Sequence, residues 1–293
     1  MLVAFLGFGL IGGSIARAIR VEGGSRDDRL VAWTPSGIGL AQAVADGVLD
    51  AAMPSAVGAI GGADLIVLAA PPLDCLGLLE SLGGTWRAAV APGATITDVA
   101  STKAAIVAMA ATHRLPFVGG HPMAGRESSG YGAATADLFI DRPWVVVRGE
   151  DATAQNVQAV ETLAIACGAR PITMDAATHD AAVAGTSHLP LLLAAALVEA
   201  VVGAGAGVDR ADRPFVPQLT AGGWRDMTRL ARGDVAMGTG IIVTNGPALA
   251  ARLRDLQAAL AGWLAELERP GGPNEAAVAD RLGAARERLD RLP

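Results

Sequence analysis

Two rhythms of apolar and polar positions divide the chain. From Met1 to about Met174, short runs of branched apolar residues alternate with longer Ala-rich stretches. Leu2–Leu6, Leu30–Trp33, Leu65–Ala69, Thr95–Val99, Phe117–Val118, Trp144–Arg148 and Pro171–Met174 read as strands. Ile11–Arg20, Ile38–Ala45, Lys103–Ala111 and Thr153–Ala166 have helical spacing. The strands lack a polar face, which suits a sheet covered by helices on both sides. Residues 1–174 are therefore expected to form a doubly wound α/β domain.

After Asp175 the strand signals stop. Thr178–Gly203, Asp212–Arg232, Pro247–Glu268 and Asn274–Leu289 carry helical periodicity, separated by joints containing Gly and Pro. Residues 175–293 are expected to be all-helical. Leu253, Leu256, Leu260, Trp263, Leu264 and Leu267 recur at spacings of three and four and make one apolar stripe. Such a stripe is core or, in a helical domain this small, partly the seam of a homodimer. The run from Leu189 to Val208 is long enough to cross a bilayer. Pro190, the internal Glu199 and three closing glycines favour instead a buried helix at a subunit interface, so no membrane partner is expected.

Composition narrows the class. The 293 residues are 52% apolar and 18% charged, as in a folded soluble protein. A net charge of −6 without a dense basic run argues against a nucleic-acid partner. Cys75 and Cys167 cannot make a disulfide framework and neither belongs to a metal-ligand pattern. A cytoplasmic protein without a metal is expected, and the apolar N-terminus lacks the basic lead and cleavage site of a secretion signal.

The N-terminal glycines have another use. Leu2–Leu6 runs into Gly7-Phe8-Gly9-Leu10-Ile11-Gly12 and then a helix, the strand–turn–helix setting that G-x-G-x-x-G requires. Gly7 permits the tight turn, Gly9 lets a pyrophosphate approach the backbone, and Gly12 allows close helix–strand packing. Amides at the helix start, around Leu10 and Ile11, attract phosphate. This marks a Rossmann-type dinucleotide site. An NAD site usually has an acid at the end of the second strand for the ribose hydroxyl. Here Thr34-Pro35-Ser36 stand there, with no acid until Asp46. Thr34 and Ser36 can donate to a 2′-phosphate, which tilts the expectation from NAD toward NADP. Ala70 and Pro71 end the next central strand and are expected beside the nicotinamide ribose.

The densest polar loop is His121-Pro122-Met123-Ala124-Gly125-Arg126-Glu127-Ser128-Ser129-Gly130. Proline biases His121 toward extended backbone, and the neutral imidazole can accept a proton near neutral pH. With Asp98-Val99-Ala100-Ser101-Thr102-Lys103, Ser187-His188-Leu189-Pro190 and Gly222-Gly223-Trp224-Arg225-Asp226, this loop resembles the prephenate/arogenate dehydrogenase family of tyrosine biosynthesis over roughly residues 2 to 246. The resemblance implies NAD(P)-dependent oxidative decarboxylation of prephenate, or of arogenate. It makes His121 the catalytic histidine, oriented by Ser101. Arg225 becomes a carboxylate clamp, His188 a neighbour of the substrate side chain, and Glu127 an acid at the mouth of the site. Residue types alone leave Ser101 equally an N-cap for the helix near Lys103 and Arg225 equally a surface partner of Asp226. His179 fits the family pattern but reads as structural, and His113 as solvated surface. Two departures stand out: Arg126 adds a cation, and Gly238 follows Met237 where relatives often carry tryptophan. Another NADP-dependent reductase with a helical domain, or a nucleotide sensor without catalysis, are the competing readings.

Overall fold

The structure, a computed structural model, describes residues 1–22, 28–126, 128–203 and 215–292. Its first half is built on one eight-stranded sheet: β1 (Leu2–Leu6), β2 (Arg29–Trp33), β3 (Ala51–Ala52), β4 (Leu65–Leu68), β5 (Thr95–Asp98), β6 (Phe117–Pro122), β7 (Pro143–Arg148) and β8 (Arg170–Thr173). The spatial order is β3-β2-β1-β4-β5-β6-β7-β8. The chain winds outward from β1 to β3, then returns to place β4 on the other side of β1. Ligands of open α/β sheets gather at such a reversal, outside the carboxyl ends of the strands.

Both faces of the sheet are covered, as the unbroken apolar strands require. Val3 and Phe5 face one core with Ile15, Phe139, Trp144 and Val160. Ala4 and Leu6 face the other with Cys75, Leu79, Leu82 and Ile106. The intervening helices are α1 (Leu10–Glu22), α2 (Leu40–Ala45), α3 (Ala56–Ile60), α4 (Pro72–Gly83), α5 (Ala104–Thr112) and α6 (Ala154–Ala166). α2 begins two residues later than its periodicity suggests, because Gly37 and Gly39 adopt positive φ.

One strand departs from the doubly wound pattern. β7 runs antiparallel to β6, whereas every other pairing is parallel. A parallel return needs a crossover helix, and among the described residues between Pro122 and Pro143 there is only a short 3-10 turn, Tyr131–Ala133.

The sheet ends at Thr173 and helices follow. One continuous helix contains α7 (Ala176–Val183), a π-helical turn at Ala184–His188, α8 (Leu189–Val198) and a second π turn at Glu199–Gly203. The stretch expected as one helix over Asp212–Arg232 is divided where it is described, into α9 (Val216–Leu219), α10 (Gly222–Thr228) and a 3-10 turn at Arg229–Arg232. The extended Thr220 and Ala221 break it, while Pro217 sits in the first turn of α9, where its missing N–H costs no bond. α11 (Val235–Thr244) lies on α4, and Gly240 makes the approach possible: a Cβ there would stand 2.9 Å from Pro72.

Met1–Gly246 form one compact unit and Pro247–Pro293 a second. The second holds α12 (Gly246–Leu267) and α13 (Glu275–Asp290). Within it the Arg281 guanidinium stacks 4.0 Å over the Trp263 ring and donates to the Ala259 carbonyl. On the apolar stripe of α12, Leu260, Leu264 and Leu267 are 53%, 54% and 62% exposed, while Leu253, Leu256 and Trp263 are half-buried.

Candidate active site

The glycine turn has the geometry its sequence predicts. Gly7 has φ +91°, and a Cβ on it would collide with the Ala69 carbonyl at 2.4 Å. Gly12 is pressed against Ala69, 3.0 Å from where its own Cβ would be. A Cβ on Gly9 would meet nothing within 4 Å. Two glycines are thus demanded by packing, while the middle one faces open space at the start of α1. That is the cradle a pyrophosphate would fill, so the residues present fit a dinucleotide. Leu10 and Ile11 open α1 and pack on the core. Thr34 and Ser36 follow β2, their hydroxyls 3.4 Å apart, and Ser36 also accepts from the Ile38 amide. Ala70 and Pro71 follow β4 beside the turn. The Ala70 carbonyl accepts from Cys75, and Pro71 caps α4.

The ends of β5 and β6 carry the second group of residues. Asp98, fully buried, accepts from the Gly120 amide at 3.0 Å and the Ala100 amide at 3.1 Å, and it pairs with buried Lys103. One carboxylate therefore fixes the backbone immediately before His121 and immediately before Ser101. Burial pushes its acidity toward the neutral form, and the Lys103 ammonium and both amides oppose that.

His121 is buried at the end of β6. Its Nδ1 lies 2.8 Å from Nε2 of His179, whose Nδ1 lies 2.8 Å from the Asp180 carboxylate. The tautomers follow from the last member. Burial works to raise the Asp180 carboxyl, yet hydrogen bonds from His179 and from the amides of Ala104 and Lys103 hold it below its usual range. An ionised Asp180 accepts Nδ1–H of His179. Nε2 of His179 is then an acceptor for Nδ1–H of His121, which leaves Nε2 of His121 with its lone pair free. Among the described residues the His121 ring makes no other hydrogen bond. Burial first, and then the positive charge of Lys103, hold His121 well below its ordinary range. It is neutral, and neutral is the form a base needs.

His179 is therefore a direct partner of His121, which corrects its reading as merely structural. Of the two readings of Ser101, the capping one falls. The serine does not cap α5: the cap position is Lys103, and the amides of Lys103 and Ala104 are taken by Asp180 at 2.8 and 2.9 Å. Asp180 thus caps α5 from another helix while it orients His179, leaving the Ser101 hydroxyl uncommitted beside the site.

His188 is fully buried in the π turn. The Asn245 amide donates to its Nδ1 at 3.0 Å and to the Asp180 carbonyl at 2.9 Å. Nε2–H of His188 is consequently the donor, and it too is buried. It lies beside the Ser101 backbone, and burial lowers its pKa to about 4. Sequence reading gave Asp98, Asp180 and Asn245 no role of their own; Asp98 stood in the motif that ends at Lys103, and the adjacent pair His179-Asp180 was the usable signal for Asp180.

The structure brings His121, Ser101 and His188 together, and among the described residues no hydrogen bond or ion pair links Arg225 to them. Arg225 is exposed on α10, which packs against α8. Among the described residues it makes no ion pair, so the surface pair with Asp226 is absent. Glu127 lies outside the described residues. Arg126 donates to Thr135, and Gly238 faces Leu191, 3.7 Å from an added Cβ. His113 is half-buried against Gly83.

Comparison with known proteins points one way. Residues 15–173 match the family described as prephenate dehydrogenase, nucleotide-binding domain, and residues 175–270 its dimerization domain. A prephenate dehydrogenase of Bacillus subtilis is 30% identical over 272 residues, covering 91% of this chain and 68% of that protein. The crystal structure of Synechocystis arogenate dehydrogenase is similar with TM-score 0.77 and 28% identity, covering 99% of this chain and all of that one. A prephenate dehydrogenase from Aquifex aeolicus, solved with hydroxyphenyl propionate and NAD+, shares the fold with TM-score 0.86 at 22% identity, covering 99% and 98% of the two chains.

Proposed function

This chain belongs to the prephenate dehydrogenase family, NAD(P)-dependent oxidoreductases, and from that premise we propose that it oxidises and decarboxylates prephenate with His121 as the base. Prephenate is a cyclohexadiene with a ring carboxylate, a pyruvyl side chain and a C4 hydroxyl. The nicotinamide, when bound, accepts the hydride from C4. Nε2 of His121 takes the hydroxyl proton as that hydride leaves, while the ring carboxylate departs as carbon dioxide and the ring becomes aromatic. His179 and Asp180 hold His121 in the tautomer this step needs. The Ser101 hydroxyl supplies a donor to a substrate oxygen, His188 is assigned to the neighbourhood of the substrate side chain, and Arg225 and Glu127 are assigned to the carboxylate and the site mouth. The observation that carries the reading is the His121–His179–Asp180 chain.

Mixing protein, prephenate and oxidised cofactor should raise the reduced-nicotinamide absorbance with release of carbon dioxide. Arogenate, in which an amino group replaces the keto group, is the second substrate to try. Turnover of arogenate alone would reassign the substrate while keeping the base.

For the cofactor, Thr34 and Ser36 without an acid support NADP. The expected result is a higher kcat/KM with NADP than with NAD, and Thr34→Asp should shift the ratio toward NAD. A clear advantage for NAD in the parent overturns the preference.

The helical residues from 175 onward are read as a homodimer surface in a cytoplasmic enzyme. The exposed leucines of the α12 stripe support this. So does the helix Ala176–Gly203, which is long and apolar enough to cross a membrane yet only 22% buried across its apolar window. Sedimentation at micromolar concentration should give a dimer; a stable monomer contradicts the assignment.

A further inference from the structure

Tyr131, the chain's single tyrosine, stands at the far end of the segment that begins with His121. It is buried, and its ring is held on every side. It stacks on Phe8, the residue between Gly7 and Gly9, at 5.5 Å and 23°. The Arg17 guanidinium of α1 lies 4.6 Å over the ring. The hydroxyl donates to Asp46 at 2.8 Å, and Arg17 pairs with the same carboxylate at 2.8 Å. Two glycines are shaped around it: a Cβ on Gly13 or on Gly39 would stand 2.8 Å from Tyr131 atoms. A second tie follows, the Thr135 amide donating to Ser14 of α1 at 3.1 Å. Ala124, three residues beyond His121, packs on the same core as Phe8 and Tyr131.

A tyrosine needed only to fill volume does not require an ion pair on its hydroxyl and two glycines around its ring. Here the ring joins the glycine turn directly to the segment leading away from His121. We propose that Tyr131 is a positioning residue that couples occupation of the Gly7–Gly12 turn to the His121 end of the site, so that dinucleotide and ring ligand bind cooperatively. This rests on reading the turn as the cofactor site. Dinucleotide phosphates settling on the turn fix the backbone that carries Phe8. The Phe8 ring then fixes Tyr131 and the segment packed beside it, and the ordering needed for the ring ligand is already in place. The reciprocal effect is required by linkage.

Spatial connection alone does not establish coupling, so the test measures it. The dissociation constant of the oxidised dinucleotide is determined with and without 4-hydroxyphenylpyruvate, the reaction product, for the parent, Tyr131→Phe and Tyr131→Leu. In the parent the product should tighten dinucleotide binding by about fivefold or more, the lower end of ordinary coupling. Tyr131→Phe keeps the stack on Phe8 and should retain the ratio. Tyr131→Leu should bring it close to one, with dinucleotide affinity alone changed much less. If Tyr131→Leu fails to fold, Phe8→Leu removes the other ring of the stack and should give the same loss. A parent that binds no dinucleotide overturns the cofactor reading, and this proposal with it. A parent with coupling that persists in the folded leucine variants overturns the role of Tyr131 alone. So does a leucine variant that loses affinity while keeping the ratio, because that is the mark of a purely structural ring.

Discussion

His121→Asn should lower kcat by about 10²–10⁴-fold, the usual worth of a positioned acid–base group, with a much smaller change in KM. Asparagine keeps the approximate shape and a hydrogen bond to His179 but cannot take a proton from the substrate hydroxyl. The parent's pH profile sharpens the test. The working form of His121 is neutral, so kcat/KM falls as pH drops through its free-enzyme pKa. Burial and the Lys103 charge place that pKa well below 6.5, and His188 titrates only near 4. The activity plateau should therefore extend to more acidic pH than an ordinary histidine allows, and His121→Asn should remove the limb. This revises the expectation from sequence, which put the limb in the normal histidine range. Full turnover in the asparagine variant would remove His121 from the chemistry.

Asp180→Asn should cost a comparable factor in kcat although the residue never touches substrate. In the parent its two oxygens accept three donors: His179 Nδ1–H and the amides of Lys103 and Ala104. An amide has one acceptor oxygen and brings two N–H donors. If that N–H faces His179, the imidazole flips to its Nε2–H tautomer, His121 must follow, and its Nε2 then carries a proton where a lone pair is needed. Wrong-tautomer variants of other histidine–carboxylate pairs lose about 10⁴ in kcat. Asp180→Ala goes further, leaving buried donors unpaired at a cost of about 3–5 kcal/mol. Chemical denaturation separates the two effects. A folded Asp180→Asn protein with parental kcat would show that the relay has no part in the reaction.

Both predictions concern residues that one sequence exposes unequally. The glycine turn was legible because its chemistry is local: five apolar residues, three glycines at fixed spacing and a helix. The alternation of strands and helices was legible because a sheet covered on both faces needs unbroken apolar strands. The reversal of β7 was not, since it depends on the missing crossover between Pro122 and Pro143. α4 was hard to see because Gly77 and Gly83 dilute its helical character. The histidine cluster was half legible. His121 and His188 announced themselves through the motifs around them, whereas Asp180 acts through contacts across 76 and 77 positions and Asn245 across 57. No periodicity encodes such distances. Ser101 illustrates the opposite failure, because a serine just before a helix is a good local cap until a distant carboxylate occupies the same amides.

The wide turn at Ala184–His188 also sets an angular phase. An α-helix advances about 100° per residue, so residues nine apart, such as His179 and His188, fall on opposite sides of a straight helix. A π turn absorbs one extra residue, which winds everything after it back by about that same angle. Pro190, lacking an N–H, already leaves the regular ladder open at Thr186. The result is that one continuous helix aims both imidazoles toward the same neighbourhood, close enough for Asn245 to hold His188 and the Asp180 carbonyl at once. Wound as ordinary α-helix with every residue kept, the same sequence would preserve each side chain of the site and still dismantle it, by turning His188 and the whole of α8 about 100° out of step with His179.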